Sequence, residues 1–259
     1  MRIVDTGAVA GWVRDGRERR VLLLHGGPGI GFEYLDPLAE EIGPTWTVAS
    51  FQQRGLSPST LGGPFDLDTA VADVAAFLDA LGWEQTVLLG HSWGGHLALH
   101  ATVALPDRVS ATLAVEPLGA VGDGGEQAFD DALLARTAPA GQARLAHVTD
   151  PLEIVRILWP AYCADPAAPA PVPEIRLSAE ASDGLWPDLR ARLSALAAAL
   201  PEVAVPLGLV SGGSSPMPAA LDVLDLVPGA WLEVVDGAGH FPWIERPGRV
   251  GAALERLTS

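Results

Sequence analysis

The chain is predicted to fold as an α/β protein. A mostly parallel, eight-stranded sheet is flanked by helices, and a helical segment is inserted after the sixth strand. Three observations predict this. Short apolar, β-branched runs alternate with helix-patterned stretches along most of the chain. Those runs are nearly continuous in apolar residues, as strands covered on both faces are. Gly90-His91-Ser92-Trp93-Gly94 stands between one such run, Gln85 to Leu89, and a helix-like stretch, Gly95 to Ala104, that stops before Pro106. Strand, sharp turn and helix thus follow in succession, the setting in which Gly-x-Ser-x-Gly lifts a serine hydroxyl clear of a sheet.

The elements follow in order. Residues up to about Gly16 read as a hairpin turning at Gly7. Arg20 to Leu24 is a buried strand that ends in the glycine-rich loop His25-Gly26-Gly27-Pro28-Gly29. Phe32 to Ile42 is a helix, and Trp46 to Phe51 the next strand. Asp66 can cap a helix through Leu81, with Val71, Val74, Ala75, Phe77, Leu78 and Leu81 at helical spacing and Gly82 as its stop. After the serine motif comes the strand Ser110 to Val115, ending in Glu116. From about Leu118 to Val203 no clear strand occurs. Helical patches at Ala128 to Arg136, Pro151 to Leu158 and Trp186 to Leu200 surround a Pro/Ala stretch, Asp165 to Pro173, that cannot be regular helix or sheet. The domain reading is a core of residues 1–117 and 204–259 and a helical lid (cap) of residues 118–203. Val205 to Ser211 resumes the sheet, Pro218 to Leu226 is a helix, Ala230 to Val235 is the last strand, and Pro247 to Leu257 is the closing helix.

Composition narrows the function. At 259 residues with 49% hydrophobic content, one domain with a sizeable core is expected. The net charge of −16 leaves no Lys/Arg stripe to neutralise phosphates or to dock on an anionic bilayer, so neither nucleic acid nor membrane is an expected partner. Cys163 is the single cysteine, which excludes an internal disulfide and a cysteine-based zinc site. The N-terminal residues resemble neither a signal sequence nor a transit peptide, and no apolar run is long enough to span a bilayer. The expectation is a cytoplasmic monomer or homodimer acting on a small molecule or short peptide, with no cofactor and no metal.

In a parallel sheet, chemistry gathers at the carboxyl ends of the strands. Residues His25 to Gly29, Ser92, Glu116, Ser211 to Ser215 and His240 all fall there. A serine hydroxyl needs a base within reach, and His240, in the glycine-rich loop after the last strand, is the best candidate. His91 is expected to pack under the turn and His25 to brace its own loop. His96 and His100 stand at i, i+4 on one helix without a third metal ligand; His147 lies in the lid. The carboxylate that would orient His240 is displaced. After the strand Leu207 to Ser211, where an acid is expected, the chain reads Gly212-Gly213-Ser214-Ser215, and Asp222 lies deep in a helix. Glu116 reads as that acid, or else as a lid-hinge residue or a substrate ligand. For the oxyanion, the candidate donors are the backbone N–H groups of Trp93 and of the Gly26-Gly27 pair, Gly27 above all.

At these residues the chain resembles the α/β-hydrolase superfamily, and within it the proline iminopeptidase branch. His25-Gly26-Gly27-Pro28-Gly29 matches that branch's His-Gly-Gly-Pro-Gly. Gln53-Arg54-Gly55 with Ser57 is similar to its Asp-Gln-Arg-Gly-x-Gly-x-Ser, with Gln52 in place of the aspartate. Gly90 to Gly95 and Gly237-Ala238-Gly239-His240 match the nucleophile turn and the histidine loop. The placement of Glu116 resembles that of the acid in haloalkane dehalogenases, whose nucleophile is an aspartate rather than a serine. The resemblance implies the α/β-hydrolase fold and a serine hydrolase cleaving a small ester or amide, including an N-terminal prolyl or similar residue. Gly26, Trp159, Tyr162, Trp186 and Phe241 are candidate substrate contacts, and Glu126, Asp130, Asp131 and Glu153 are candidate ligands for a substrate amine. The alternative is a non-hydrolytic protein on the same fold, a lyase, a cyclase or a ligand-binding relic, motivated by Ser214-Ser215.

Overall fold

A computed structural model describes residues 1–259. Its strands are β1 (Arg2–Asp5), β2 (Ala10–Arg14), β3 (Arg19–Leu24), β4 (Trp46–Gln52), β5 (Thr86–His91), β6 (Val109–Val115), β7 (Leu207–Gly212) and β8 (Trp231–Val235). They form one eight-stranded sheet in the order β1-β2-β4-β3-β5-β6-β7-β8. β1 pairs antiparallel with β2, and β2 with β4; every other pairing is parallel.

The helices are α1 (Asp36–Glu41), α2 (Leu67–Leu81), α3 (Trp93–Ala104), α4 (Glu126–Arg136), α5 (Pro139–Leu145), α6 (Pro151–Tyr162), α7 (Ala179–Ala199), α8 (Leu221–Leu226), α9 (Pro242–Glu245) and α10 (Arg249–Leu257). They cover both faces of the sheet, and strand periodicity sorts the core. Leu22, Leu24 and Leu88 point one way, into a cluster with Phe77 and Leu78 of α2, Leu97 and Ala101 of α3, and Leu189 and Leu193 of α7. Val21, Leu23, Val87 and Leu89 point the other way, against Leu38 of α1, Trp243 of α9 and Val250, Leu254 and Leu257 of α10. Burying each such leucine contributes about 1.5–3 kcal/mol relative to exposure.

Local signals set several boundaries. Asp66 caps α2 through Thr69 N–H at 2.7 Å, and Gly82, at φ 67°, ends it in the left-handed region. Other boundaries depart from expectation. The expected helix Phe32 to Ile42 is a 3-10 turn, Phe32–Leu35, followed by α1. α7 begins well before Trp186 because the Ser178 side chain caps it, and Pro187 lies inside it. α8 starts at Leu221 rather than Pro218. α5 buries no residue, so it has no apolar stripe for periodicity to detect.

Between β6 and β7 the chain forms α4 to α7. The segment touches the loop after β3 through a two-residue bridge, Ile30 with Leu177. Ser178 N–H donates to Gly29 O at 2.7 Å, and Gly31 N–H to Arg176 O at 2.9 Å. No helix is long and apolar enough to cross a membrane.

Candidate active site

The turn from β5 to α3 puts Ser92 at φ 54°, ψ −122°, a conformation that non-glycine residues rarely adopt. It is tolerated because the crossing is too tight for side chains on its flanks: a Cβ on Gly90 would collide with Gly94 O, and one on Gly94 with Leu24 O. The strain turns Ser92 out of the sheet and into a cavity of about 310 Å³. The α3 N-terminus receives no side-chain cap, so the Trp93 N–H lies among first-turn amides that have no partner within the helix. The Trp93 indole points away, donating to Gln53 Oε1 at 2.7 Å.

His240 lines the same cavity. The loop after β8 holds it by the bond from its N–H to Tyr162 O at 2.8 Å, and its Nδ1 lies 3.0 Å from Glu116 Oε2. Glu116, just past β6, is fully buried and is the second non-glycine residue at positive φ, 54°. Its carboxyl collects further donors, Gly212 N–H on Oε1 and Ser215 Oγ–H on Oε2. Burial pushes the Glu116 carboxyl up to about 8, against the hydrogen bonds from Ser215 and Gly212; the nearby Glu245 pushes it up further. Burial also pushes His240 down, to about 3. Burial alone makes each group resist charge. Neither Ser92 Oγ nor His240 Nε2 has a hydrogen-bond partner in the chain, and both open onto the cavity.

The loop after β3 forms the opposite wall. Gly27 and Gly26 line the cavity. Gly27 is at φ 122°, and a Cβ there would meet the Gly29 and Ile30 nitrogens at 2.9 Å. Gly26 N–H is already taken by Tyr34 Oη at 2.6 Å. Tyr34 Oη also lies 2.9 Å from His91 Nδ1, and His91 Nε2 lies 2.8 Å from His240 O. Nε2 must donate to that carbonyl, so Nδ1 accepts the tyrosine proton. Burial drives His91 well below the usual histidine range, which keeps it neutral and suited to both roles. His25 braces its loop as expected, with Nε2 accepting Gln53 N–H at 2.9 Å. Gln52, in place of the family aspartate, accepts Phe32 N–H and the Arg176 guanidinium, each at 3.1 Å.

Trp159, Tyr162, Trp186 and Phe241 all line the cavity, joined by Ile30, Phe129, Leu133, Val155, Leu158 and Ile175. Glu126 and Asp130 stand one turn apart on α4 in the same wall. Glu126 is paired with Arg190. Burial and the neighbouring Glu126 raise the Asp130 carboxyl, and burial pushes the Tyr162 hydroxyl up to about 12. Asp131 and Glu153 do not line the cavity, and Glu153 pairs with Arg144. His96 and His100 face each other, with 3.2 Å between their Nε2 atoms, and no third residue joins them in a group able to hold a metal. Asp222 lies in the first turn of α8, where it accepts Ala120 and Val121 N–H at 2.6 and 2.7 Å. Sequence reasoning missed Tyr34 and the donor role of Ser215, because each acts through side-chain contacts between loops that leave no local pattern.

Comparison with known proteins bears on the family and the fold. The model of the alpha/beta hydrolase family matches residues 21–253. Epoxide hydrolase 4 of Mus musculus is 30% identical over 120 residues, 44% of this chain and 33% of that protein. Proline iminopeptidase of Lactobacillus delbrueckii subsp. lactis is 39% identical over 87 residues, 30% of this chain and 29% of that protein. The chain thus spans about a third of the length of these curated relatives. The crystal structure of VinJ superposes with a TM-score of 0.75 at 21% identity, covering 99% of this chain and 97% of that one. With the nucleophile turn, the histidine loop and the eight-stranded sheet in place, the chain belongs to the alpha/beta hydrolase family.

Proposed function

We propose that the protein is a serine hydrolase that cleaves a small ester or amide through an acyl-enzyme. One observation carries the reading. A serine strained out of a strand–helix turn shares a cavity with a histidine whose other ring nitrogen meets a buried carboxylate. Ser92 Oγ attacks the substrate carbonyl carbon, and its proton passes to His240 Nε2. Glu116 stabilises the imidazolium that forms. The N–H groups of Gly27 and Trp93 hold the oxyanion. The tetrahedral adduct collapses, His240 returns the proton to the leaving alcohol or amine, and water repeats the sequence on the acyl-enzyme. The bond between Ser92 and His240 forms when substrate closes the gap, as catalytic contacts often tighten only in the complex.

The aromatic and aliphatic wall suits an apolar acyl group. Asp130, the wall carboxylate that Arg190 does not pair with, suits a free amine on that group, and so favours an aminopeptidase-like substrate. The helical segment α4 to α7 serves as the lid, since it supplies most of this wall.

The test is reaction with a fluorophosphonate followed by intact mass. Wild type gains one adduct, Ser92→Ala gains none, and Glu116→Gln reacts slower by on the order of 10⁴, the scale for loss of the orienting acid. A folded wild type that stays unlabelled overturns the reading in favour of a non-hydrolytic role.

A further inference from the structure

The loop after β7 lacks the acid expected there, and Ser215 occupies the place. Its hydroxyl is oriented by its surroundings. Met217 N–H donates to Ser215 Oγ at 3.1 Å, so the oxygen's accepting side is engaged. The hydroxyl proton then has one partner in the chain, Glu116 Oε2, the same oxygen that lies 3.0 Å from His240 Nδ1. Gly212 N–H, which can only donate, occupies Oε1. Two donors, Ser215 Oγ–H and Gly212 N–H, converge on one carboxyl, and such bonds favour its ionised form. A carboxylate in turn requires the proton of the His240 ring on Nδ1, which leaves the Nε2 lone pair to the cavity.

Resting on the serine-hydrolase reading above, we propose that Ser215 is a positioning residue: its hydroxyl proton favours the carboxylate form of Glu116, the form that selects the Nδ1–H tautomer of His240. The strand that lost its acid still serves the site, with a donor in place of an acceptor. This division suits the geometry. A second carboxylate at 215 would face Glu116 across one hydrogen bond, and two like charges at that range cannot both ionise.

The groups that face the pair are few. Glu245 adds negative charge near Glu116 and is itself held by Ala164 and Gly239 N–H. The His91 ring lies 4.7 Å from that of His240, and the uncharged rings of Tyr162 and Phe129 lie 5.5 and 5.4 Å away. None of these bonds to the Glu116 carboxyl, so Ser215 is the side chain besides His240 that does. Burial and Glu245 favour the protonated carboxyl, while Ser215 and Gly212 oppose them. Removing the hydroxyl therefore moves the acid limb of the rate profile to higher pH.

The experiment compares wild type with Ser215→Ala, Ser215→Thr and Ser215→Cys. It measures aryl-ester kcat and KM against pH, and reads the His240 tautomer by long-range ¹H–¹⁵N NMR, assigned with His240→Gln. Ser215→Ala is expected to lower kcat at pH 7 by about ten- to a hundred-fold, the scale of one hydrogen bond to a charged group. KM should change little, the deficit should shrink at pH 9, and the ring proton should shift from Nδ1 towards Nε2. Ser215→Thr should restore both readouts, and Ser215→Cys, a weaker donor of similar size, should fall between and stand in for Ser215→Ala if that variant does not fold. An unchanged tautomer in the variant that removes or weakens the donor overturns the proposal, even if kcat falls. A kcat deficit that does not depend on pH also overturns it. If wild type turns over no ester and takes no fluorophosphonate, the hydrolase reading fails instead, and the tautomer measurement still decides the role of Ser215.

Discussion

At the scale of single residues, two backbone outliers mark the site. Ser92 and Glu116 are the non-glycine residues at positive φ, and each directly follows a strand, β5 and β6. Strain of this kind costs about 1–3 kcal/mol and persists only where surrounding structure holds it. Glu116 also bears the cost of a buried carboxyl, which explains the direction of its titration. The working state needs Glu116 ionised and His240 neutral with Nε2 free. Because burial lifts Glu116 to about 8, kcat/KM of the wild type should rise as pH increases through the neutral range and level off on the alkaline side. A profile that is flat from pH 6 to 9 would remove Glu116 from the rate.

At the scale of elements, the notable connection runs between loops. Gly26 after β3, Tyr34 in the 3-10 turn, His91 at the end of β5 and His240 after β8 form one relay of hydrogen bonds. The relay ties the candidate oxyanion wall to the candidate base through the floor of the nucleophile turn. Tyr34→Phe removes one hydroxyl but strands two buried partners, Gly26 N–H and His91 Nδ1, at a cost of about 1–3 kcal/mol. It should therefore lower the denaturant midpoint and also reduce kcat, about ten-fold, because the two walls lose a common reference. Equilibrium unfolding and ester turnover measured on the same preparation check this; a loss of stability with unchanged kcat would make the relay structural only.

At the scale of the whole molecule, the buried histidines dominate the response to acid. His25, His91, His96, His100 and His240 are all lowered, chiefly by burial, to about 3 or 4 where the shift has a value. The unfolded chain binds protons at these rings near pH 6.5, whereas the folded chain does not, so stability falls as pH drops below about 6.5 and continues to fall towards 4. Glu116 acts with the opposite sign, since its raised carboxyl favours the folded state below its own range, and Asp36 and Asp130 are raised likewise, but these are three groups against five. Urea unfolding at a series of pH values should show a midpoint that falls steadily across this window, with an uptake of several protons on unfolding. A midpoint independent of pH from 6.5 to 4 would contradict the burial that the fold imposes.

The sequence by itself determined the alternation of strands and helices, the serine turn, the histidine loop and Glu116 as a candidate for the displaced acid. Each is written in local pattern: apolar runs, glycines where a Cβ would collide, and a carboxylate at a strand's end. Trp159, Tyr162, Trp186 and Phe241 read in the sequence as candidate pocket residues that could equally pack in the core, and the fold places all four in the cavity wall. Local pattern did not reveal the short helices α5 and α9, which carry too little apolar periodicity, nor the early start of α7 at Ser178. Only the tertiary structure decided that Glu116 Oε2 meets both His240 and Ser215, that Gly26 N–H is spent on Tyr34, and that Asp222 serves the loop after β6 instead of the site. The physical reason is the same in each case. A hydrogen bond between side chains and loops, whether its partners lie eight positions apart as Gly26 and Tyr34 do or about a hundred as Glu116 and Ser215 do, leaves no period in the chain, and its partners are chosen by how the loops pack.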